Sequence, residues 1–482
     1  MTERKKETTI FGVIIFAIIA LIAGFVINKN LGKVTQSATD GIDIDNGDTK
    51  INWAKYQTFE IELSESIEIK ESGIYHLTGK IEDGMVTVDV GDENGVAKLL
   101  LNGVEINNNS GPAIYIKSAD DVVIEIASET KNILVSGETF GDFGSDNVDG
   151  TIYSKGDLSF SGSGKLYVES NYQDAIVSKD DLVIRAGEIE IKAADDAIRG
   201  KDSVQIAGGK IKITSAQDGI KSTNEDDKTK GFVLIEDGEI EISAGDDGIH
   251  ATTSLAITGG KIDILTSYEG LEGAKVTIDG GEINILALDD GINVAGGNDS
   301  SAVVRPGAQE FSSDVSYVLT INDGKIYVNA TGDGLDSNGY IYINGGEVVV
   351  DGPINSANGA LDSENGIILN GGSVVAVGAS GMAEGFDSTS AVNSVSIYFT
   401  SSQTKGTKVS LIDDSGAEIF SHTSAKAFNH AVIGTEKLET GKTYKILLNG
   451  EEYESFVVEN TVTTVGRASG MGPQGTRQPA NR

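Results

Sequence analysis

The chain has 482 residues, 37 of them basic and 73 acidic, for a formal net charge of −36, and it contains no cysteine. Disulfides, thiolate metal sites and cysteine nucleophiles are therefore excluded, and so is nucleic acid as a partner, because phosphate neutralisation needs clustered Lys and Arg. A hydrophobic share of 39% excludes a disordered acidic tail.

Residues 1–9 carry Arg4, Lys5 and Lys6 and read as a basic cytoplasmic tail. Ile10 to Ile27 is free of charge. As a helix it would be about 27 Å long, enough for a bilayer core, so 10–27 is predicted to be a transmembrane signal anchor. The leading positive charge orients the rest of the chain to the extracellular face of the membrane. A cleaved signal peptide, leaving a secreted protein, is the alternative. Residues 28–50 are polar and read as a linker.

Residues 51–392 carry a repeat. Gly187, Gly209, Gly238, Gly260, Gly281, Gly324, Gly346 and Gly372 each precede an alternating apolar run, at intervals of 22, 29, 22, 21, 43, 22 and 26. Alternation of this length is a half-buried strand. Each repeat holds a second short apolar run, such as Ser203 to Ile206, and a third apolar point in a tripeptide such as Asp218-Gly219-Ile220. Three short strands per repeat with Gly at the corners predict an all-β fold, a parallel β-helix in which stacked coils share one core. Ile51 to Val148 reads as the first, looser coils plus an N-terminal cap. From residue 393 to 466 the period stops, and strands with Gly-containing turns predict a small antiparallel β domain closing the open end. Residues 467–482 are Gly-, Pro-, Gln- and Arg-rich and read as a disordered tail.

One position of the repeat is acidic in nearly every coil: Asp174, Asp196, Asp218, Asp247, Glu269, Asp290 and Asp333. Asp149 and Glu384 fit at either end, while Gly359 breaks the series. The preceding residue is often acidic as well, at Asp195, Asp246 and Asp289, and in late coils so is the residue three further on, as at Asp336. Coils about 4.8 Å apart would stack these carboxylates so that neighbours repel by about 3 to 4 kcal/mol at an effective dielectric of about 20. No matching Lys or Arg column is evident in the sequence. Calcium would neutralise such a column, since it suits clustered carboxylate and carbonyl oxygens. The bland alternative is that each Asp caps an amide of the adjacent coil.

The position three after the acid reads Val177, Arg199, Lys221, His250, Glu272, Asn293 and Asp336 and is expected to point outward. Arg199, Lys221, His250 and Asn293 are thus candidate contacts for a polar chain-like ligand, against the reading of an ordinary solvated face. Tyr172 and Tyr268 border the acids and are candidate sugar-stacking residues.

The order Tyr172-Gln-Asp-Ala-Ile, Ser178-Lys-Asp-Asp-Leu, Ala194-Asp-Asp-Ala-Ile-Arg-Gly-Lys-Asp-Ser, Gly332-Asp-Gly-Leu-Asp-Ser-Asn-Gly, Gly359-Ala-Leu-Asp and Ser380-Gly-Met-Ala resembles a carbohydrate-binding family of secreted bacterial β-helix proteins known from a cellulolytic clostridium. The resemblance covers about residues 51–466. It implies a right-handed parallel β-helix similar to pectin-lyase folds, calcium sites, and adhesin-like, non-catalytic binding of plant cell-wall polysaccharides such as polygalacturonate and cellulose. The family's acidic turns match at Asp174, Asp195, Asp196, Asp218, Asp246, Asp247, Asp289 and Asp290, while Glu269 departs from the usual Asp. Two other classes stay open. A calcium-dependent pectate-type lyase would use Arg199 or Lys221 as base, and a structural surface spacer would bind no sugar.

Overall fold

The computed structural model describes residues 37–40, 42, 44, 46–295 and 317–466. The segments expected as cytoplasmic tail (1–9), membrane anchor (10–27) and disordered tail (467–482) lie outside them. Among the described residues no helix is long and apolar enough to cross a membrane.

The chain is all-β, with one large, mostly parallel sheet and a second sheet of four strands. In the large sheet each strand pairs in parallel with its counterpart one repeat later, which sorts the strands into three columns. The lead-glycine column includes Glu188–Ala193, Lys210–Ser215, Glu239–Ser243 and Lys261–Ser267. A column of mostly three-residue strands follows the acidic turn: Ile198–Gly200, Ile220–Ser222, then the start of Ile249–Ile257. The third column includes Ser203–Ile206 and Phe232–Ile235. Earlier strands such as Gly73–Ile81, Val86–Asn108 and Ile114–Ile126 enter the same columns, so the looser N-terminal region is continuous with the rest.

The lead glycines have a structural reason. All eight have positive φ, from 79° to 119°, a conformation that costs an L-residue with a side chain about 1–2 kcal/mol. After each turn the alternation sends Ile189, Ile211, Ile240, Ile262 and Ile283 into the interior in exact register, each fully buried. Every such side chain contributes about 1.5–3 kcal/mol by leaving water. The charged residues between them face solvent and pair across coils, as in Lys165–Glu188 (2.7 Å), Lys210–Glu239 (2.8 Å) and Lys212–Glu241 (2.6 Å). Exposed pairs of this kind add little stability.

Two segments show more tertiary structure than their sequence suggests. Within the expected linker, Ala38 is buried against Phe232, Leu234 and Ala256, and its N–H donates to Asp279 Oδ2 at 2.8 Å. Asp48, in the short helix Gly47–Lys50, receives two hydrogen bonds from Arg185, at 2.8 and 2.6 Å. These residues form a strap along the third column. At the other end, Ser373–Gly378 pairs antiparallel with Phe428–Thr435, which pairs antiparallel with Ser394–Gln403, and Val462–Val465 lies parallel beyond it. The C-terminal unit thus extends the lead-glycine column of the coil, and Val375 and Val377 belong to its core. The second sheet, ordered Glu418–Thr423, Lys408–Asp413, Thr443–Leu448 and Glu451–Val457, packs in that core.

Candidate functional site

The acidic position sits in the turn between the lead-glycine strand and the short strand. Asp174, Asp196, Asp218, Asp247 and Glu269 are all buried there. Each aspartate is a rung of a hydrogen-bond ladder. The N–H of Asp196 donates to Asp174 Oδ1 (3.1 Å), that of Asp218 to Asp196 Oδ1 (3.1 Å), and that of Asp247 to Asp218 Oδ1 (2.9 Å). Further along, Asp333 N–H donates to Asp290 Oδ1 (2.5 Å) and Gly359 N–H to Asp333 Oδ1. Capping the next coil's amide is one reason for an acid at this position in most coils. The residue after it is small because coils touch there: a Cβ on Gly219 would stand 2.6 Å from the Gly248 carbonyl oxygen.

The second carboxylate oxygen explains the neighbouring column and corrects two expectations. Val177, Arg199, Lys221, His250, Glu272, Asn293 and Asp336 do stack in register, but they do not point out to solvent. They lie against the acids, and Val177, Glu272 and Asn293 are buried. A cationic column therefore exists, carried by these residues. Arg199 Nη2 bridges Asp149 and Asp174 at 2.5 Å each. Lys221 Nζ lies 2.5 Å from Asp218 and 3.4 Å from Asp196. His250 Nδ1 lies 3.0 Å from Asp247 and 2.5 Å from Glu272. Lys179, which the sequence reading passed over, adds a contact to Asp149 at 3.3 Å. Lys221–Asp218 and His250–Asp247 join residues three apart, but the contacts of Arg199 with Asp149 and Asp174 cross one or two coils and leave no trace in sequence order.

Burial opposes the charge of Lys221, but Asp218 and Asp196 outweigh it and hold the ammonium above its ordinary range. Burial likewise opposes His250, yet its hydrogen bonds to Asp247 and Glu272 lift the imidazole to about 10. A folded value above the ordinary ~6.5 gives stability that is fully present below that value and lost as pH rises through about 10. Nitrogen NMR of His250 should therefore show an imidazolium at pH values near 8, where an exposed His is neutral. A neutral ring there would contradict the pairing.

Among the described residues the cationic series ends at His250, and the positions in register after it are Glu272, Asn293, Asp336 and Asp362. Burial raises the Asp290 carboxyl to about 8, and Asp333, Asp289 and Asp336 add to the rise. Burial raises Asp333 to about 6, with Asp362 and Asp289 contributing. The carboxylates of Asp289 and Asp290 converge on Gly332 of the next coil, where a Cβ would run into an oxygen of each. Glu269 accepts a hydrogen bond from Asn293 Nδ2 at 2.9 Å. Clustered carboxylate oxygens suit a hard divalent cation such as calcium, and among the described residues the carboxylates that converge in threes, within 4.8 Å of one another, are Asp247, Glu269 and Glu272, and Asp157, Asp180 and Asp181. In the Asp174–His250 stretch the protein's own cations already meet the acids. Asp195 and Asp246 are half-buried in the same turns. Tyr172 is 40% exposed and stacked on Phe140, with ring centroids 4.8 Å apart, while Tyr268 is half-buried.

Comparison with known proteins finds relatives described as carbohydrate-binding. The family described as carbohydrate-binding domain-containing protein matches residues 64–313. A carbohydrate-binding domain-containing protein of Acetivibrio thermocellus is 38% identical over 129 residues, 26% of this chain and 45% of the relative, so the match spans less than half of that protein's length. A solved structure described as a polysaccharide lyase-like protein from C. thermocellum, a gadolinium derivative, is 32% identical, covering 50% of this chain and 97% of that one at a TM-score of 0.41. With the family matched over more than half of its length, the chain belongs to the carbohydrate-binding domain-containing proteins.

Proposed function

We propose that this chain is a non-catalytic, adhesin-like binding protein for acidic cell-wall polysaccharides, polygalacturonate above all, and that it recognises them through calcium. The observation that carries the reading is that, among the described residues, the cationic series in register with the acids ends at His250, while burial and neighbouring acids hold the Asp290 and Asp333 carboxyls above their ordinary range. Asp289, Asp290, Asp333 and Asp336, with Glu269 and Asn293, are the residues that would hold the ion. A divalent cation there supplies a bridge between these carboxylates and those of a uronate chain. The ten acids of the expectation thus divide in role. Asp174, Asp195, Asp196, Asp218, Asp246 and Asp247 build and buffer the ladder, and Asp289, Asp290, Asp333 and Asp336 carry the ion. The coil is right-handed in this reading, as parallel crossover connections almost always are. Residues 10–27 tether it to the outer face of the membrane.

The electrostatics support binding over lyase chemistry. A lyase base must be uncharged when it takes a proton, whereas Lys221 is held charged by two aspartates and Arg199 is clamped between two more. Affinity electrophoresis in polygalacturonate gels tests the reading: migration is retarded in calcium and restored by EGTA. Appearance of the ultraviolet absorbance of unsaturated uronate would overturn the non-catalytic assignment. Unretarded migration in calcium would favour the spacer.

A further inference from the structure

A groove of about 710 Å³ lies at the acidic-turn corner of the N-terminal coils, remote from the Asp290 cluster. That is within the range of about 300–1,000 Å³ typical of small-ligand sites. Its walls come from four successive coils: Glu82, Asn107 to Asn109, Val135 to Thr139, and Asn171. Gly137 keeps the floor low, since a Cβ there would run into the Asn109 carbonyl. Asn171 Nδ2 donates to the Ser136 carbonyl oxygen at 2.8 Å, which fixes that carboxamide on the groove wall.

The chain neighbours of Thr139 and Asn171 are Phe140 and Tyr172, and these two rings stack at 4.8 Å. Phe143 packs edge-on behind Phe140 and against Tyr115. Tyr172 is the exposed outer ring of this stack, at 40%. The stacked pair Phe140–Tyr172 thus stands one residue along the chain from the groove lining, at Thr139 and Asn171. Carboxamides match the paired donors and acceptors of sugar hydroxyls, and the ring matches the apolar face of a pyranose. The charged residues of the lining are Glu82 and Glu138, which accept from hydroxyls and repel carboxylates.

We propose that this groove is a second saccharide subsite, independent of metal, that takes an uncharged stretch of sugar chain on Tyr172 with the Asn109, Glu138 and Asn171 side chains below it. It rests on the carbohydrate-binding reading of the chain but not on the calcium cluster. From Asp174, two residues after Tyr172, to Asp290 is five coil steps, about 24 Å at the spacing of paired strands. A polysaccharide running down this corner meets both subsites.

The test is calorimetric titration of the full chain in EGTA with cellohexaose, maltohexaose and mannohexaose, and separately with oligogalacturonate in calcium. At least one neutral hexasaccharide binds in EGTA. Tyr172→Ala weakens that binding roughly tenfold, the order of a lost ring-stacking contact, and Tyr172→Phe restores it. Oligogalacturonate binding in calcium is unchanged by either substitution. Failure of all three neutral sugars to bind, or neutral binding untouched by Tyr172→Ala, overturns the subsite. Loss of oligogalacturonate binding in Tyr172→Ala overturns its independence. Failure of oligogalacturonate alone, with neutral binding intact, instead counts against the calcium reading.

Discussion

In EGTA the full chain should lose stability as pH rises from about 5 to about 8, and calcium should return it. The carboxyls of Asp290, at about 8, and Asp333, at about 6, are raised above the unfolded value of about 3.9. Between these values the folded chain holds more protons than the unfolded one, so folding weakens with each step upward in pH. The loss begins above about pH 4 and is complete once pH passes about 8, amounting to on the order of a few kcal/mol for these half-buried carboxylates. Calcium requires the deprotonated form, so its stabilising effect is small near pH 5 and largest near pH 8. At a hundredfold excess over its dissociation constant it contributes about 2.7 kcal/mol per site. Asp290→Asn separates the two effects. It removes a buried charge while keeping a side-chain oxygen for the Asp333 amide. The chelated variant should therefore be at least as stable as the parent at pH 8, and should respond much less to calcium. Thermal unfolding in the four combinations of pH and metal measures this directly. A chelated chain equally stable at both pH values and unmoved by calcium would sink the account of the cluster.

The other large effect is expected at Asp351, at the junction of the coil and the C-terminal unit. This residue ends a coil strand and is fully buried. Its carboxylate meets His422 Nε2 at 2.9 Å, and accepts from Ser424 Oγ at 2.9 Å, from the Ala425 amide at 3.1 Å and from Tyr327 at 3.0 Å. Three of those partners belong to the C-terminal unit, so Asp351 is the polar latch between unit and coil. Burial works to raise its pKa, but the His422, Ser424 and Ala425 contacts win and hold it below the usual carboxylate range. By sign, the latch contributes stability above an unfolded value of about 3.9 and loses it as pH falls through the depressed folded value. Asp351→Ala leaves His422 and the Ala425 amide without their partner at the junction. Breaking a buried pair in this way costs about 3–5 kcal/mol. The C-terminal unit of the variant should detach early, seen as a new low-temperature transition and as protease cleavage near residues 379–393. A single transition at the parental temperature would show that the latch does not hold the unit.

The coil was legible in the sequence because its physics is periodic. Positive φ selects a glycine at each corner, and the interior selects apolar residues at alternate positions, so the period and the strand type appear together. The acidic ladder was legible for the same reason. What it does electrically was not, because Arg199 reaches Asp149 and Asp174, 50 and 25 residues back. Sequence order hides a contact that only register creates. The strap escaped notice because its buried contacts come from single residues such as Ala38 and Asp48 in a polar stretch. The run Asn107-Asn108-Asn109 was the available signal for the N-terminal groove. Its meaning depends on Asn171 and Tyr172 arriving beside it two coils later.

The central claim is that acids beyond His250 bind divalent cations that in turn recruit an acidic glycan. Calorimetric titration of polygalacturonate into the full chain, in calcium and then in EGTA, addresses it most directly. The account predicts heat of binding in calcium, none in EGTA, and a strongly reduced signal for Asp290→Asn in calcium. Binding unchanged by EGTA, or unchanged by Asp290→Asn, would contradict it.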